Sequence, residues 1–462
     1  MKKNISFIPI HSFRNKIYLG LLAKTFFICL VTSSLNIHCE NSTTPEEDRQ
    51  KAEAGEDQET YVGSYAVINV SQSQIKEPIS LIEWEQNCSN PKEVNLFSQS
   101  SLKDYWILAF ETEGIYKFYL HINCESGNVF TDSVIVTVNP RQETMIDDIY
   151  LEARIRYRLD YKEGELNVDK LQLIDSLPSP GFHIKNYKTI SLNGLEHCTN
   201  LVYLALANES ITNLGPLSNL IKLEFLNLNQ NYTIEDISPI YNLLNLKTLI
   251  IYSNPIKDIS GLGNLTNLTY LDILGTPISD ISSLASLVNL ETLYFDGAGT
   301  ETSFNSIEPL SNLTKLRYLD IADRGITDIR PLKNLTELIL LSVSYNNLAE
   351  ISAVSNMKKL IRLYIRKNNV EDITGIRNLE NLDYLDAADN QIKDISELQY
   401  LSNIHLIGLS GNKIEDILPL VNNSYLGEGV YLYLGGNPLN EKSLNEYVPE
   451  LTQRGVTVYT NL

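Results

Sequence analysis

The sequence lacks the motifs through which most enzymes bind metals or phosphates or activate a nucleophile. We find no HExxH, no paired-cysteine zinc pattern, no EF-hand loop, no P-loop and no GxSxG element in its 462 residues. The histidines His121, His183, His197 and His405 are scattered, without the spacing of metal ligands. We therefore expect neither an enzyme nor a bound metal or other cofactor.

Basic charge is also scarce. The chain has 37 Lys and Arg against 57 Asp and Glu, which gives a formal net charge of −20. Residues 1–38 carry five basic side chains and no acidic one, so removing them lowers the net charge to −25. Such a surface repels nucleic acid, which we exclude as a partner. The apolar content of 43% is nevertheless sufficient for a folded core.

The N-terminal segment has the organisation of an export signal. Basic residues up to Lys24 precede the apolar run TFFICLVTSSL, which is too short to span a bilayer. Cys39 and an acidic stretch follow, an arrangement that resembles a bacterial lipoprotein signal. The resemblance implies a signal peptide at 1–38, lipidation of Cys39 and an acidic tether over 39–60. Cleavage and release without lipidation is the alternative.

Three cysteines remain beyond the signal and the anchor. Cys88 and Cys124 fall in the same segment and could form a disulfide in an oxidising compartment, or remain free. Cys198 occupies a small apolar position at the start of the repeats, where we predict a buried free thiol.

Residues 61–139 have the pattern of a small all-β domain. Short runs such as SYAVINV, GIYKFYLHINC and DSVIVTV alternate apolar with polar residues between Ser, Asn and Gly clusters. Their order resembles the polycystin-type (PKD) immunoglobulin-like domains of bacterial surface proteins, which implies a β-sandwich spacer with Trp84 in its core. Acidic residues that could hold calcium are Glu83, Glu85, Glu125 and Asp132. No loop has the oxygen-ligand spacing of a calcium site, so a solvated acidic surface is favoured.

From residue 146 onward a repeat of 22 residues dominates the chain. Helical spacing of Leu151, Ile155 and Leu159 predicts a short helix first, and NVDKLQLIDSL predicts a second. The repeats then start at Leu201, Leu223, Leu246, Leu268, Leu290, Leu316, Leu338, Leu360, Leu382 and Ile404. Successive starts are 22 residues apart except for one step of 23 and one of 26. Such periodicity indicates a solenoid.

The apolar positions of each repeat explain how it folds. In LxxLxL the leucines alternate into the core, so stacked repeats form a parallel sheet on one side and turns or short helical segments on the other. Position nine is asparagine at Asn231, Asn254, Asn346, Asn368, Asn390, Asn412 and Asn437. We expect its side chain to bind backbone groups that the turn buries, with Thr276 and Ala298 as departures. The NLT sequences, such as the one at Asn267, are interpreted as turn chemistry rather than glycosylation.

The repeats NPIKDISGLGNLTNL and NQIKDISELQYL resemble the leucine-rich repeats of internalins and other bacterial surface proteins. LEARIRYRL and GLEHCTNL resemble the N-terminal cap of such proteins, and GGNPLNEKSLNEYVPELTQRGVTVY resembles the closing unit. The resemblance implies an α/β leucine-rich repeat solenoid with a cap over 146–200, repeats over 201–428 and a terminal repeat with its cap over 429–462.

Repeat positions two, three and five are predicted to face away from the core, on the concave sheet. Tyrosine recurs there although folding requires no large aromatic. The candidate binding residues are Tyr203, Phe225, Tyr270, Asp272, Tyr294, Tyr318, Asp320, Arg362, Tyr364, Tyr384, Tyr431 and Tyr433. Tyrosine and arginine supply much of the energy of interfaces, about 2 kcal/mol or more for a central anchor. The alternative is that the tyrosines stack on cross-strand neighbours and only stabilise the sheet.

These patterns together predict a lipid-anchored envelope protein, at the outer membrane or cell surface, that binds a host or cell-surface protein through its concave face. The acidic residues beside the tyrosines favour a basic partner. A structural envelope protein that contacts neighbouring proteins or glycan is the alternative function. A periplasmic or secreted protein is the alternative location.

Overall fold

The computed structural model describes residues 51–70, 73–92, 105–178, 188–297, 303–304 and 306–461, without the side chains of 105–107. The predicted signal peptide, Cys39 and most of the predicted tether lie outside the described residues, as do His183 and Ala298. Within the described ranges, no helix has both the length and the apolar character needed to cross a bilayer.

The first part of the described chain folds as two small sheets around one core. Its strands are β1 Gln58–Tyr61, β2 Tyr65–Asn69, β3 Ile79–Gln86, β4 Tyr105–Ala109, β5 Gly114–Cys124 and β6 Val129–Asn139. One sheet has the order β1-β6-β5-β3, with β1 parallel to β6, and β2 pairs with β4 in the other. Alternation along β5 buries Tyr116, Phe118 and Leu120, and Trp84 joins this core as predicted.

This β domain begins earlier than the sequence predicts. Strand β1 starts at Gln58, and Ala52 and Ala54 are buried in the domain core. Residues 51–60 therefore belong to the β domain and not to an acidic tether. The segment is held in the core by two small, isolated alanines, and these give no strand pattern that would distinguish it from a polar tether.

Of the two alternatives left open for Cys88 and Cys124, the structure has the free thiols and not the disulfide. Strands β3 and β5 are antiparallel, with Ile79 opposite Cys124 and Gln86 opposite Phe118. Cys88 lies two residues beyond Gln86, so the two cysteines are separated by about eight residues, roughly 26 Å, along the strands. A disulfide requires Cα atoms within about 7 Å of each other.

Two helices cap the repeats at the positions predicted from the leucine spacing. Helix α1 spans Ile149–Leu159, and helix α2 spans Val168–Leu171. The Asp148 side chain caps α1 by accepting the first backbone N–H groups, while Leu151 and Ile155 are buried. Cys198 is a buried free thiol, as predicted, and burial raises its pKa to about 12.

The solenoid is built on one parallel sheet of thirteen strands, ordered by sequence from β7 to β19. The strands are β7 Ser176–Leu177, β8 Tyr203–Ala205, β9 Phe225–Asn227, β10 Thr248–Ile250, β11 Tyr270–Asp272, β12 Thr292–Tyr294, β13 Tyr318–Asp320, β14 Leu340–Ser342, β15 Arg362–Tyr364, β16 Tyr384–Asp386, β17 Leu406–Gly408, β18 Tyr431–Tyr433 and β19 Thr457–Tyr459. The repeat leucines and isoleucines form one continuous buried core beneath it. The predicted fold class is thereby confirmed.

Short 3-10 segments form the side of the solenoid away from the sheet. They span Leu195–His197, Gly215–Leu217, Ser238–Ile240, Ser260–Asn264, Ser282–Ser286, Glu308–Leu310, Arg330–Asn334, Ser352–Asn356, Thr374–Ile376 and Ser396–Tyr400. Near the C-terminus lie helix α3 Leu418–Asn422, a π-helical turn Ser443–Tyr447 and helix α4 Val448–Gln453. Aspartates precede most of these segments, and each accepts a backbone N–H two residues on: Asp236, Asp258, Asp280, Asp328, Asp372, Asp394 and Asp416. Some of the acidic residues of this chain therefore serve to close turns.

The asparagines at position nine form an inner ladder, as predicted. The Asn346 side-chain amide donates to the carbonyls of Ile321 and Val343 at 3.1 and 3.0 Å and accepts the Ile326 N–H at 2.9 Å. Similar bonds to backbone carbonyls of two repeats recur at Asn231, Asn254, Asn368, Asn390, Asn412 and Asn437. Each asparagine thus joins neighbouring repeats through buried backbone groups.

An exposed outer ladder lies just before the strands. Asn267, in an NLT sequence, donates to the Leu244 carbonyl of the preceding repeat at 2.8 Å and so has a structural role. Equivalent bonds are made by Asn245, Asn289, Asn381 and Asn403.

Arg324 takes the place of asparagine at position nine of the sixth repeat, and the sequence analysis did not identify it. Its fully buried guanidinium donates to the carbonyls of Phe295, Thr276 and Asp296 at 3.0, 3.2 and 2.9 Å. The same group lies over the rings of Phe295 and Phe304, 4.1 and 5.2 Å from their centroids. Burial lowers the pKa of Arg324 to about 10, so it remains charged at neutral pH. One side chain thus connects the fourth, fifth and sixth repeats, where Thr276 offers only a hydroxyl.

Candidate protein-binding site

The predicted binding residues lie in two parallel rows on the concave face of the sheet. Repeat position three forms the first row, in which Tyr270 is opposite Thr292 and Thr292 is opposite Tyr318. Position five forms the second row, in which Tyr294 lies between Asp272 and Asp320. Strand register therefore brings together side chains that are 22 to 26 residues apart in the sequence. The result is a staggered pattern of rings and carboxylates.

Several of the rings in the two rows pack against one another. Tyr203 stacks on Phe225, with ring centroids 4.1 Å apart and planes 6° apart. Tyr270 meets Tyr294 edge-on across the diagonal at 5.9 Å. Further along the sheet, Tyr364 packs on Tyr384 at 5.0 Å and Tyr433 on Tyr459 at 4.7 Å. Such pairs contribute about 0.5–1.5 kcal/mol beyond their burial, so the rings also stabilise the sheet.

The twelve predicted residues differ in accessibility. The half-buried ones are Tyr203, Phe225, Tyr318, Arg362, Tyr384, Tyr431 and Tyr433. The buried ones are Tyr270, Asp272, Tyr294, Asp320 and Tyr364. A partner could touch the first group directly, whereas the second group supports its neighbours from beneath.

The aspartates of the second row have a local structural role. The Asp272 carboxylate accepts the Leu274 N–H at 3.3 Å, and Asp320 accepts the Ala322 N–H at the same distance. Asp386, one repeat after Tyr364, accepts from Ala388 at 3.2 Å. These bonds close the turn after each strand. The repeat does not require tyrosine in the same way.

The C-terminal half of the face combines phenols with one cation. Arg362 is opposite Tyr384 in the first row, and Tyr364 is opposite Asp386 in the second. Burial raises the pKa values of Tyr364, Tyr384 and Asp386. The phenols therefore stay protonated at neutral pH and present both a hydrogen-bond donor and an apolar ring.

Comparison with solved structures places this sheet in a known group of proteins. The chain is 32% identical to internalin InlF of Listeria monocytogenes, with a TM-score of 0.62, over 69% of this chain and 90% of that one. This protein belongs to the internalins. A model of two leucine-rich repeats matches residues 244–286 of this internalin.

Two further solved structures are similar to this internalin. Internalin C2 of L. monocytogenes is 25% identical, with a TM-score of 0.39, over 52% of this internalin and 94% of that chain. A TDR receptor shares the fold at 17% identity and a TM-score of 0.51, over 64% of this chain and 57% of that one. No curated protein matches the sequence of this internalin.

Tyr459 is a residue of the face that the sequence analysis missed. It lies on β19, opposite Tyr433, and extends the second row beyond the last repeat. Its ring is parallel to that of Tyr433 within 9°. The alternation in VTVY was the available signal, but the strand follows a helix and has no place in the 22-residue period.

Among the described residues of this internalin, no three His, Cys, Asp or Glu side chains cluster closely enough to hold a metal ion. Of the residues considered as calcium ligands, Asp132 accepts the Ala54 N–H at 2.7 Å, and Glu83 accepts from Asn123 at 3.1 Å.

Proposed function

We propose that this internalin binds another protein through the concave face of its repeats. The observation that carries the proposal is the pair of tyrosine-rich rows, which the strand register aligns over the length of the sheet. Solenoids of this kind use their extended concave surfaces for binding. Tyrosine is enriched in interfaces because a rigid ring and a hydroxyl combine apolar area with hydrogen bonding.

The accessible residues define where contact is expected. Tyr203 and Phe225 form a stacked pair near the first repeats, and Tyr384 and Tyr431 continue the first row near the last ones. The buried ring of Tyr364 fixes that of Tyr384. A partner would thus meet side chains whose conformations are already restricted, which lowers the entropy lost on binding.

Affinity capture tests the proposal. The chain is immobilised and exposed to host and bacterial extracts, beside a variant with Tyr203→Ala, Tyr318→Ala and Tyr431→Ala. We expect a protein that the parent retains and the variant does not. Equal retention by both proteins would assign binding to another surface, and retention of neighbouring envelope proteins or glycan alone would favour the structural alternative.

We further propose that the chain is exported and anchored in the envelope by lipid on Cys39. The proposal rests on the basic residues, the short apolar run and the cysteine that precede an acidic stretch. A clickable fatty acid fed to expressing bacteria should label the parent and not a Cys39→Ala variant. Labelling that survives the substitution, or no labelling of the parent, would refute lipidation. Proteolysis of intact cells then separates surface display from a periplasmic location.

A further inference from the structure

The β domain meets the N-terminal cap at a junction that partner binding does not explain. The core of the β domain extends to Val138, and the core of the repeats starts at Ile146. The two cores are separate clusters, and charged and polar side chains such as Arg141 and Glu152, with the ring pair of Tyr65 and Tyr157, lie between them. Interfaces of this composition ordinarily allow domains to move relative to each other.

A buried carboxylate occupies the centre of this junction. Glu152 of α1 has no exposed surface. Arg141, in the linker after β6, donates from Nε and Nη2 to its Oε2 at 2.9 and 2.8 Å, and Arg156 donates from Nε to its Oε1 at 2.8 Å. Arg141 also donates to the Ile146 carbonyl at 2.7 Å. The linker is therefore held against the cap helix by charge-assisted bonds of fixed geometry.

The turn between β1 and β2 closes over the same carboxylate. Gly63 has a φ of +77°, and a Cβ at this position would lie 2.6 Å from the Glu152 Oε2. Only glycine combines that backbone conformation with so close an approach. The β domain therefore fits the cap at a point where a single methyl group would collide.

The residues after Gly63 continue the contact with the end of α1. The Ser64 hydroxyl donates to the Lys162 carbonyl at 2.7 Å, and the Tyr65 hydroxyl donates to Asp160 Oδ1 at 2.9 Å. The ring of Tyr65 meets that of Tyr157 edge-on at 5.1 Å. Ser64 and Tyr65 are both buried, whereas Lys162 and Asp160 are exposed, so these bonds are partly shielded from water.

We propose that this junction locks the β domain and the repeats into one rigid body. The β domain is then a positioning arm that fixes the direction of the concave face, and not a flexible spacer. The buried Glu152 carboxylate requires both arginines and the Gly63 turn in their observed positions. One orientation of the β domain relative to the repeats is therefore favoured over slightly rotated ones. The inference is independent of the proposed function, since rigidity does not require a partner.

Distances between two spin labels test the proposal on the full chain. One label is attached to the exposed Cys88 of the β domain and the other to Lys393→Cys in the repeats, with Cys29 and Cys39 replaced by serine. We expect a single narrow distance distribution. The Gly63→Ala variant should shift or broaden it. The matched control is Gly127→Ala, which also has a positive φ, of +90°, but has no atom within 4 Å of its Cβ position, and it should leave the distribution unchanged.

Two results would overturn the proposal. A broad distribution in the parent would show a flexible junction directly, whatever the variants do. An unchanged distribution in Gly63→Ala would show that the close contact does not set the orientation. If Gly63→Ala fails to fold by circular dichroism, Glu152→Gln takes its place, because it keeps the side-chain shape and removes the charge. It should also broaden the distribution, and an unchanged width would count against the lock.

Discussion

Replacing Arg324 by methionine should destabilise the repeats by about 3 kcal/mol. Methionine keeps an unbranched apolar stem but leaves the carbonyls of Phe295, Thr276 and Asp296 without the donors that Arg324 supplies. At about 1 kcal/mol for each lost hydrogen bond, the three losses give that value, and the Asp296 carbonyl keeps its bond from the Gly275 N–H. The change also removes the cost of burying a charge, which works in the opposite direction. We therefore take 3 kcal/mol as the order of the effect.

Urea unfolding followed by circular dichroism measures this effect, and two further variants serve as comparisons. Arg317→Met, at an exposed position in the same repeat, should change the free energy of unfolding by less than about 0.5 kcal/mol. Arg324→Asn restores the usual ladder residue and should lower the free energy of unfolding less than Arg324→Met does. The asparagine can still reach carbonyls of two repeats, although it cannot reach that of Thr276. A loss below about 1 kcal/mol in Arg324→Met would refute the idea that this side chain joins three repeats.

Three other measurements address the ladders, the thiols and the acid response. Asn368→Ala should lower the free energy of unfolding, measured in urea, by about 2 kcal/mol or more, because buried backbone groups lose their partner. The exposed Asn381→Ala should lower it by less than about 1 kcal/mol. Equal losses would contradict the role of the inner ladder. A thiol reagent followed by peptide mass mapping should modify Cys88 in the native protein and Cys198 only after unfolding, and rapid native modification of Cys198 would be inconsistent with its burial. The pKa of Asp280 is lowered because its carboxylate accepts the backbone N–H two residues on. Asp280 therefore stabilises the folded state above the unfolded pKa near 3.8, and this stabilisation is lost as pH falls through the folded pKa. Asp280→Ala should flatten the decrease in the urea midpoint between pH 5 and 3, and an unchanged decrease would refute this role.

The periodic part of the molecule could be predicted from sequence because each repeat makes the same contacts as the next. Leu268, Leu271 and Ile273 recur at a fixed spacing, and one inward-facing pattern explains them all. The asparagine ladder was predictable for the same reason. Both features depend on what the repeats share.

The features that sequence analysis missed occur once. Arg324 departs from the ladder consensus, and its bonds reach back 28 to 48 residues. The junction joins Gly63 to Glu152, which are 89 residues apart and belong to different patterns. Tyr459 extends the tyrosine row on a strand outside the 22-residue period. Single contacts between distant segments leave no periodic signal, so only the folded chain reveals them.

The affinity of a captured partner for matched tyrosine variants tests the central claim most directly. The concave variant carries Tyr203→Ala, Tyr318→Ala and Tyr431→Ala, and the control carries alanine at three exposed tyrosines outside the sheet, Tyr232, Tyr400 and Tyr425. One lost central anchor of about 2 kcal/mol corresponds to roughly 30-fold in Kd. We predict that the concave variant binds at least about 30-fold more weakly while the control stays within about twofold of the parent. Equal affinity of the concave variant and the parent, or an equal loss in the control, would contradict binding through the concave face.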